Sequence, residues 1–133
     1  MSSLNHTNLL KTFATFLNGS SLEIVMPLMN GGSLQNLISY KYPNGIDDIT
    51  IIATIIKETL NAICYLHENK LIHRDIKSGN ILLDMDGNIK LGDFGVATNL
   101  KKGKRNSFVG SCCWMAPEII SAIDGYDCKV DFM

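Results

Sequence analysis

The run His73-Arg74-Asp75-Ile76-Lys77-Ser78-Gly79-Asn80 puts a carboxylate, an ammonium and an amide into one short stretch, and Asp93-Phe94-Gly95 offers a second carboxylate soon after. Such a set suits phosphoryl transfer, which needs little covalent help and mostly needs charges held around a nearly in-line phosphate. Asp75 would orient a hydroxyl and receive its proton. Asn80 can turn back from the same loop toward a magnesium ion, and Asp93 supplies the hard carboxylate oxygen that magnesium prefers. Lys77, two residues past Asp75, is placed to neutralise charge that develops on the transferring group. Singly, each residue has an ordinary reading: Asp-Phe-Gly as a turn, Asp75 beside Arg74 as a surface ion pair, Asn80 as a cap. The ordered set carries the inference.

Elements able to hold these residues can be read from periodicity. Leu9 to Leu17 and Leu22 to Met26 are apolar-rich runs around Asn18-Gly19-Ser20-Ser21, which predicts a hairpin ended by Pro27. Ser33 is a candidate N-cap for a short helix to about Lys41, broken by Pro43-Asn44-Gly45. Asp47, Asp48 and Thr50 can open a second helix, in which Ile52, Ile55, Ile56, Leu60, Ile63 and Leu66 repeat at three and four residues as far as about Glu68. Ile81 to Leu83 and Ile89 to Leu91 read as strands around Asp84-Met85-Asp86-Gly87, a hairpin that brings Asp93 beside Asn80. From Asp93 to Glu118 no period persists, and the stretch holds the basic cluster Lys101, Lys102, Lys104 and Arg105. A loop of that length inside a compact domain is usually functional or mobile.

The chain has 133 residues, 46% of them apolar and 19% charged, which fits one globular core. Twelve Lys and Arg against thirteen Asp and Glu leave a net charge of -1, so nothing in the charge balance favours nucleic acid or a membrane as partner. Cys64, Cys112, Cys113 and Cys128 form no C-x-x-C pair, so free thiols in a reducing compartment are expected. The densest apolar stretch, Ile49 to Ile56, is short of the ~18 residues of a membrane span, and the polar start lacks a signal-peptide core. A cytoplasmic location follows as the expectation.

With Ala116-Pro117-Glu118 added, the motifs match the protein-kinase order of catalytic loop, metal-binding turn and activation-segment end. Eleven specified positions would agree by accident with odds on the order of 10⁻¹⁴ per placement. The whole chain resembles the middle of a eukaryotic serine/threonine protein kinase domain. It is most similar to the sterile-20-like group around the oxidative-stress-responsive kinases, echoed in Phe108 to Glu118 and in Gly125-Tyr126-Asp127. The resemblance implies an α+β fold: residues 1–26 as a remnant of the N-lobe sheet, 27–32 as the hinge, and 33–133 as an incomplete C-lobe with its activation segment at 93–118. It implies ATP and Mg²⁺ as cofactors, with Met26 as gatekeeper, Pro27 to Met29 as hinge and Leu82 as the floor of the adenine pocket. Proteins bearing Ser or Thr hydroxyls would be the substrates, as Lys77 and Ser111 resemble the serine/threonine type, and the resemblance marks Arg74, Ser107 and Ser111 as regulatory. Ser107 stands where related kinases carry an activating phosphate, which would come from an upstream kinase and pair with Arg74.

The same resemblance marks departures. No glycine-rich phosphate loop, strand lysine or glutamate partner precedes His6-Thr7-Asn8-Leu9, and Asp131-Phe132-Met133 falls where the family begins a major C-lobe helix. Cys112 stands where close relatives tend to have proline. The chain therefore reads as a fragment in which the apolar face of Ile52 to Leu66 lacks cover and turnover would be low. A catalytically inactive kinase-like binding or regulatory module is the second reading, and a product without a stable fold the third.

Overall fold

A computed structural model describes residues 4–101, 103–121 and 125–132; Met1 to Ser3, Lys102 and Met133, which the sequence readings touch, lie outside them. The fold is α+β. A hairpin of β1 (Ala14–Asn18) and β2 (Ser21–Val25) comes first, paired antiparallel from Ala14 opposite Val25 to Asn18 opposite Ser21. Gly19 takes φ +61° at the first central position of its two-residue turn, where a type II′ hairpin uses glycine. The first strand is shorter than its apolar run, because Leu9 is drawn elsewhere. It is buried and bridges in parallel to Leu91, with the Leu91 N–H on the Asn8 carbonyl (2.7 Å) and the Leu10 N–H on the Leu91 carbonyl (2.9 Å).

β3 (Gly32–Ser33) leads into α1 (Leu34–Lys41), capped as expected by the Ser33 hydroxyl on the Asn36 N–H at 3.2 Å. α2 (Ile49–Glu68) is capped by Asp48, whose carboxylate accepts from the Thr50 N–H at 2.8 Å. Its buried face is Ile55, Thr59, Ala62, Ile63 and Leu66, a spacing of four, three, one and three that stacks on one side of a helix. Ile56 and Leu60 of the predicted stripe are instead exposed, at 52% and 38%. α2 is apolar around more of its circumference than one contact face can bury. By length and mean hydropathy alone it could cross a bilayer. Here Ala62, Ile63 and Leu66, each at most 2% exposed, form one core with Leu9, Leu34 and Leu91.

After β4 (Leu71–Ile72) come a 3₁₀ turn at Ser78–Asn80, β5 (Ile81–Leu83) and β6 (Ile89–Leu91), which form the expected hairpin and with β3 make a sheet of order β3-β5-β6. β7 (Thr98–Asn99) pairs with β4. Among the described residues of the stretch without periodicity, β7, a turn at Cys112–Trp114 and the start of α3 (Pro117–Ser121) are regular, followed by a turn at Cys128–Phe132. A second, smaller core gathers Ile72, Met115, Ala116, Ile119, Tyr126 and Val130 under that segment. All four cysteines are free.

Candidate active site

The turn Ser78–Asn80 folds the catalytic-loop sequence back on itself, so that Asn80 reaches Asp75 with both amide protons: 2.8 Å to the backbone carbonyl and 2.9 Å to Oδ2. Lys77 Nζ lies 2.7 Å from the same Oδ2, and the Ser111 N–H donates to Oδ1 at 2.9 Å. Lys77 also donates to Ser111 Oγ at 2.6 Å, which closes a ring through Asp75, Lys77 and Ser111 with Asn80 attached at Asp75. Burial pushes the Asp75 carboxyl up, but hydrogen bonds from Lys77, Ser111 and Asn80 outweigh it and hold the group below its ordinary value. A carboxylate so held stays ionised and fixed in direction, which suits orienting a hydroxyl more than removing its proton early. Ser111, read from sequence as regulatory, sits in direct contact with this pair.

The backbone of the loop is gripped from behind by Asp131, which is 3% exposed. Its Oδ2 accepts from the His73 N–H (2.9 Å) and from His67 Nε2 (2.8 Å), and its Oδ1 accepts from the Arg74 N–H (2.7 Å). Arg74 has φ +71°, a conformation that costs a non-glycine residue on the order of 1–2 kcal/mol and persists only when its surroundings fix it. Asp131 is part of that fixing. The His73 ring donates from Nε2 to the Gly92 carbonyl (2.9 Å) and accepts the Asp75 N–H at Nδ1 (3.3 Å), so it joins the catalytic loop to the residue before Asp93. Burial lowers the His73 pKa, which keeps the imidazole neutral for this double role. Neither the clamp by Asp131 nor the role of His73 has a sequence signal, since both depend on segments far apart in the chain.

Asp93 itself is exposed, at φ +57°, with Oδ1 accepting the Gly95 N–H at 3.2 Å. The Gly92 N–H donates to the Asn80 carbonyl at 2.9 Å, which ties the two motif stretches together. With its amide protons spent on Asp75, Asn80 keeps Oδ1 as a free acceptor among the described residues, and Asp93 keeps Oδ2. These are hard oxygens of the kind that hold a small divalent cation together with substrate phosphates. Among the described residues no group of three or more His, Cys, Asp or Glu could hold a metal by itself.

Asp93 and Met26 line one cleft of about 650 Å³, walled by Leu10, Phe13, Ala14 and Ile24 of the hairpin region. That volume lies within the ~300–1,000 Å³ of small-molecule sites. Met29 and Leu82 do not line it. The Met29 carbonyl is taken by the Gly32 N–H (3.0 Å), and Leu82, opposite Ser33 and Lys90, packs with Leu10 against Gly92. Arg74 donates from Nε to the Val96 carbonyl (2.6 Å) and from a terminal nitrogen to the Tyr126 hydroxyl (3.0 Å). Ser107 is exposed.

The protein kinase domain family matches residues 1–133. The chain belongs to that family. Sterile-20-type kinases are among its relatives, as the sequence resemblance implies. It is 47% identical over 134 residues to serine/threonine-protein kinase fray2 of Dictyostelium discoideum, covering 98% of this chain and 13% of the relative. It is 40% identical over 147 residues to germinal center kinase 3 of Caenorhabditis elegans, with 98% and 25% covered. Against serine/threonine-protein kinase ste20 of Emericella nidulans it is 42% identical over 133 residues, with 98% and 15% covered. The kinase chain thus spans a quarter or less of the length of each of these relatives.

Proposed function

We propose that this chain carries the catalytic loop and activation segment of a serine/threonine protein kinase that transfers the ATP γ-phosphate to Ser or Thr hydroxyls of protein substrates in the cytoplasm. The observation that carries the reading is the ring around Asp75. Its carboxylate is fixed by Lys77, Asn80 and Ser111, and Asp93, tied to Asn80 through the Gly92 N–H, lines an apolar cleft. Asp75 orients the substrate hydroxyl and takes its proton. Lys77, already beside Asp75, shares its charge with the transferring group. Mg²⁺, when bound, neutralises the phosphate oxygens, and Asn80 and Asp93 are the residues that would hold it. Met26, which lines the cleft, would face the nucleotide base; Met29 and Leu82, which do not line it, join the base site only as the family resemblance implies.

Ser107 is the site at which an upstream kinase would regulate the segment through Arg74, since a phosphate there adds about -1.5 to -2 charge. A catalytically silent binding module is the second reading, favoured by the exposed Phe16, Leu17, Leu22 and Ile24 of the hairpin. Calorimetry of the purified chain with Mg-ATP separates the two. We expect binding that Asp93→Ala weakens by at least about tenfold, the size of one lost charged contact. Equal affinity in both proteins, or none in either, would defeat the nucleotide-binding reading.

A further inference from the structure

Tyr126 lies outside every catalytic motif, yet its hydroxyl is the one link between the catalytic-loop arginine and the middle of the activation segment among the described hydrogen bonds. The ring is 2% exposed, packed in the smaller core with Ile72, Met115 and Ile119. Its hydroxyl accepts from the Arg74 guanidinium at 3.0 Å and donates to the Ser107 carbonyl at 2.6 Å. A buried phenol normally needs such partners, and here both of its capacities are filled. The backbone adds a second grip, because Tyr126 and Arg105 exchange both N–H···O bonds, at 2.9 and 3.0 Å. Gly125 permits this approach: at φ +67° a Cβ there would sit 2.4 Å from Asn106 Oδ1.

We propose that Tyr126 is a positioning residue, a latch that holds Arg105 to Ser107 against the catalytic loop without a phosphate at Ser107. This rests on the kinase reading above, because the segment being held continues through Gly110 to Ser111, which contacts Asp75 and Lys77. Gly110 passes so close to the loop that a Cβ on it would lie 2.5 Å from the Arg74 carbonyl. Displacing residues 105–107 therefore pulls on the Ser111 contacts. Arg74 spends a charged hydrogen bond on the latch, a type stronger than a neutral one.

Tyr126→Phe deletes the hydroxyl and keeps the ring. In the purified protein we expect trypsin to cleave after Lys104 and Arg105 about tenfold faster than in wild type, as the opened population rises by the worth of the lost bonds. Thermal unfolding should move by only a few degrees. If the protein phosphorylates a Ser/Thr peptide, the variant should raise the peptide KM while kcat and the ATP KM stay near wild type, a split that a general loss of structure would not produce. Wild-type hydrogen exchange gives a reading that needs no variant: the Arg105 and Tyr126 amides should exchange at least about tenfold more slowly than those of Lys104 and Asn106. Unchanged cleavage, or Arg105 exchanging as fast as its neighbours, overturns the latch. Faster cleavage in a protein that neither binds Mg-ATP nor transfers phosphate keeps the latch and defeats the kinase reading instead.

Discussion

Around Asp75 the polar side chains have protein partners, whereas across β1 and β2 the large apolar side chains have almost none. Lys77, Asn80 and Ser111 converge on one carboxylate, and Asp131 holds the backbone behind it. In the hairpin, Leu17 is 75% and Leu22 61% exposed, and the two strands form a sheet only with each other. Polar positioning in this chain is satisfied by segments near one another in the fold, each bond replacing one lost to water. Apolar positioning is different: a two-stranded hairpin cannot bury a face by itself. The catalytic loop should therefore tolerate little change, and the hairpin much.

The largest effect should come from the centre of the ring. Asp75→Asn keeps the shape and removes the charge, so phosphate transfer to a Ser/Thr peptide should fall by roughly 10²–10⁴, the worth of a positioned acid–base group. Mg-ATP affinity should stay within a few-fold. Retained transfer would mean that Asp75 is not the hydroxyl-orienting group, and would break the contrast at its strongest point.

Next comes Asp131→Ala, which leaves the buried His73 amide and the half-buried Arg74 amide without acceptors and strips the fixing from a residue at positive φ. Removing one member of such a buried charged network costs about 3–5 kcal/mol, a large share of the ~5–15 kcal/mol that a domain has. Denaturant unfolding should register it as a lower midpoint. A loss under about 1 kcal/mol would show that the loop keeps its shape without the clamp.

A smaller effect is expected from pH. Burial lowers the His73 pKa in the folded protein, so the unfolded chain binds the proton more readily and stability rises with pH through this window. Acidification should begin to weaken the fold as the unfolded imidazole protonates, near its ordinary pKa of about 6.5. His73→Gln, which can still donate to the Gly92 carbonyl, should flatten that slope in unfolding curves between neutral and mildly acidic pH. Asp75 acts lower down. Its depressed carboxyl contributes stability that is present above the ordinary carboxylate range and is lost as pH falls through the folded value. The two windows separate, so a single slope beginning only below about pH 4 would exclude His73 as the neutral bridge.

The same contrast explains what was legible. Caps are local, so Ser33 and Asp48 could be read from neighbours two or three residues away, and both make the expected bonds. The β5–β6 hairpin was equally plain, because its turn chemistry lies between its strands. Asp75, Lys77 and Asn80 could be grouped from sequence because one loop holds them all, and the structure joins them by hydrogen bonds. The contacts of Asp131 and Tyr126 with that loop were not legible: both residues fall in stretches that the family resemblance touches, but each meets the loop across more than fifty residues of sequence. The face of α2 was half legible: its spacing gives a helix, but which apolar side is covered depends on neighbours the period does not name. Leu9 shows the same gap, an apolar residue that reads as strand and instead fills the main core beside Leu91.

The smallest effect should be found on the hairpin, and it sharpens the comparison most cheaply. Leu17→Lys replaces a side chain that is 75% exposed at the end of β1, opposite Leu22, with one whose stem can cover the same neighbour while its ammonium stays in water. No buried contact is lost and no charge is buried, so stability should change by no more than about 0.5 kcal/mol in denaturant unfolding. A loss of about 2 kcal/mol would mean that Leu17 is covered in solution, since a fully buried leucine contributes about that much relative to an exposed one. The hairpin would then be held as firmly as the catalytic loop, by apolar contact rather than by hydrogen bonds.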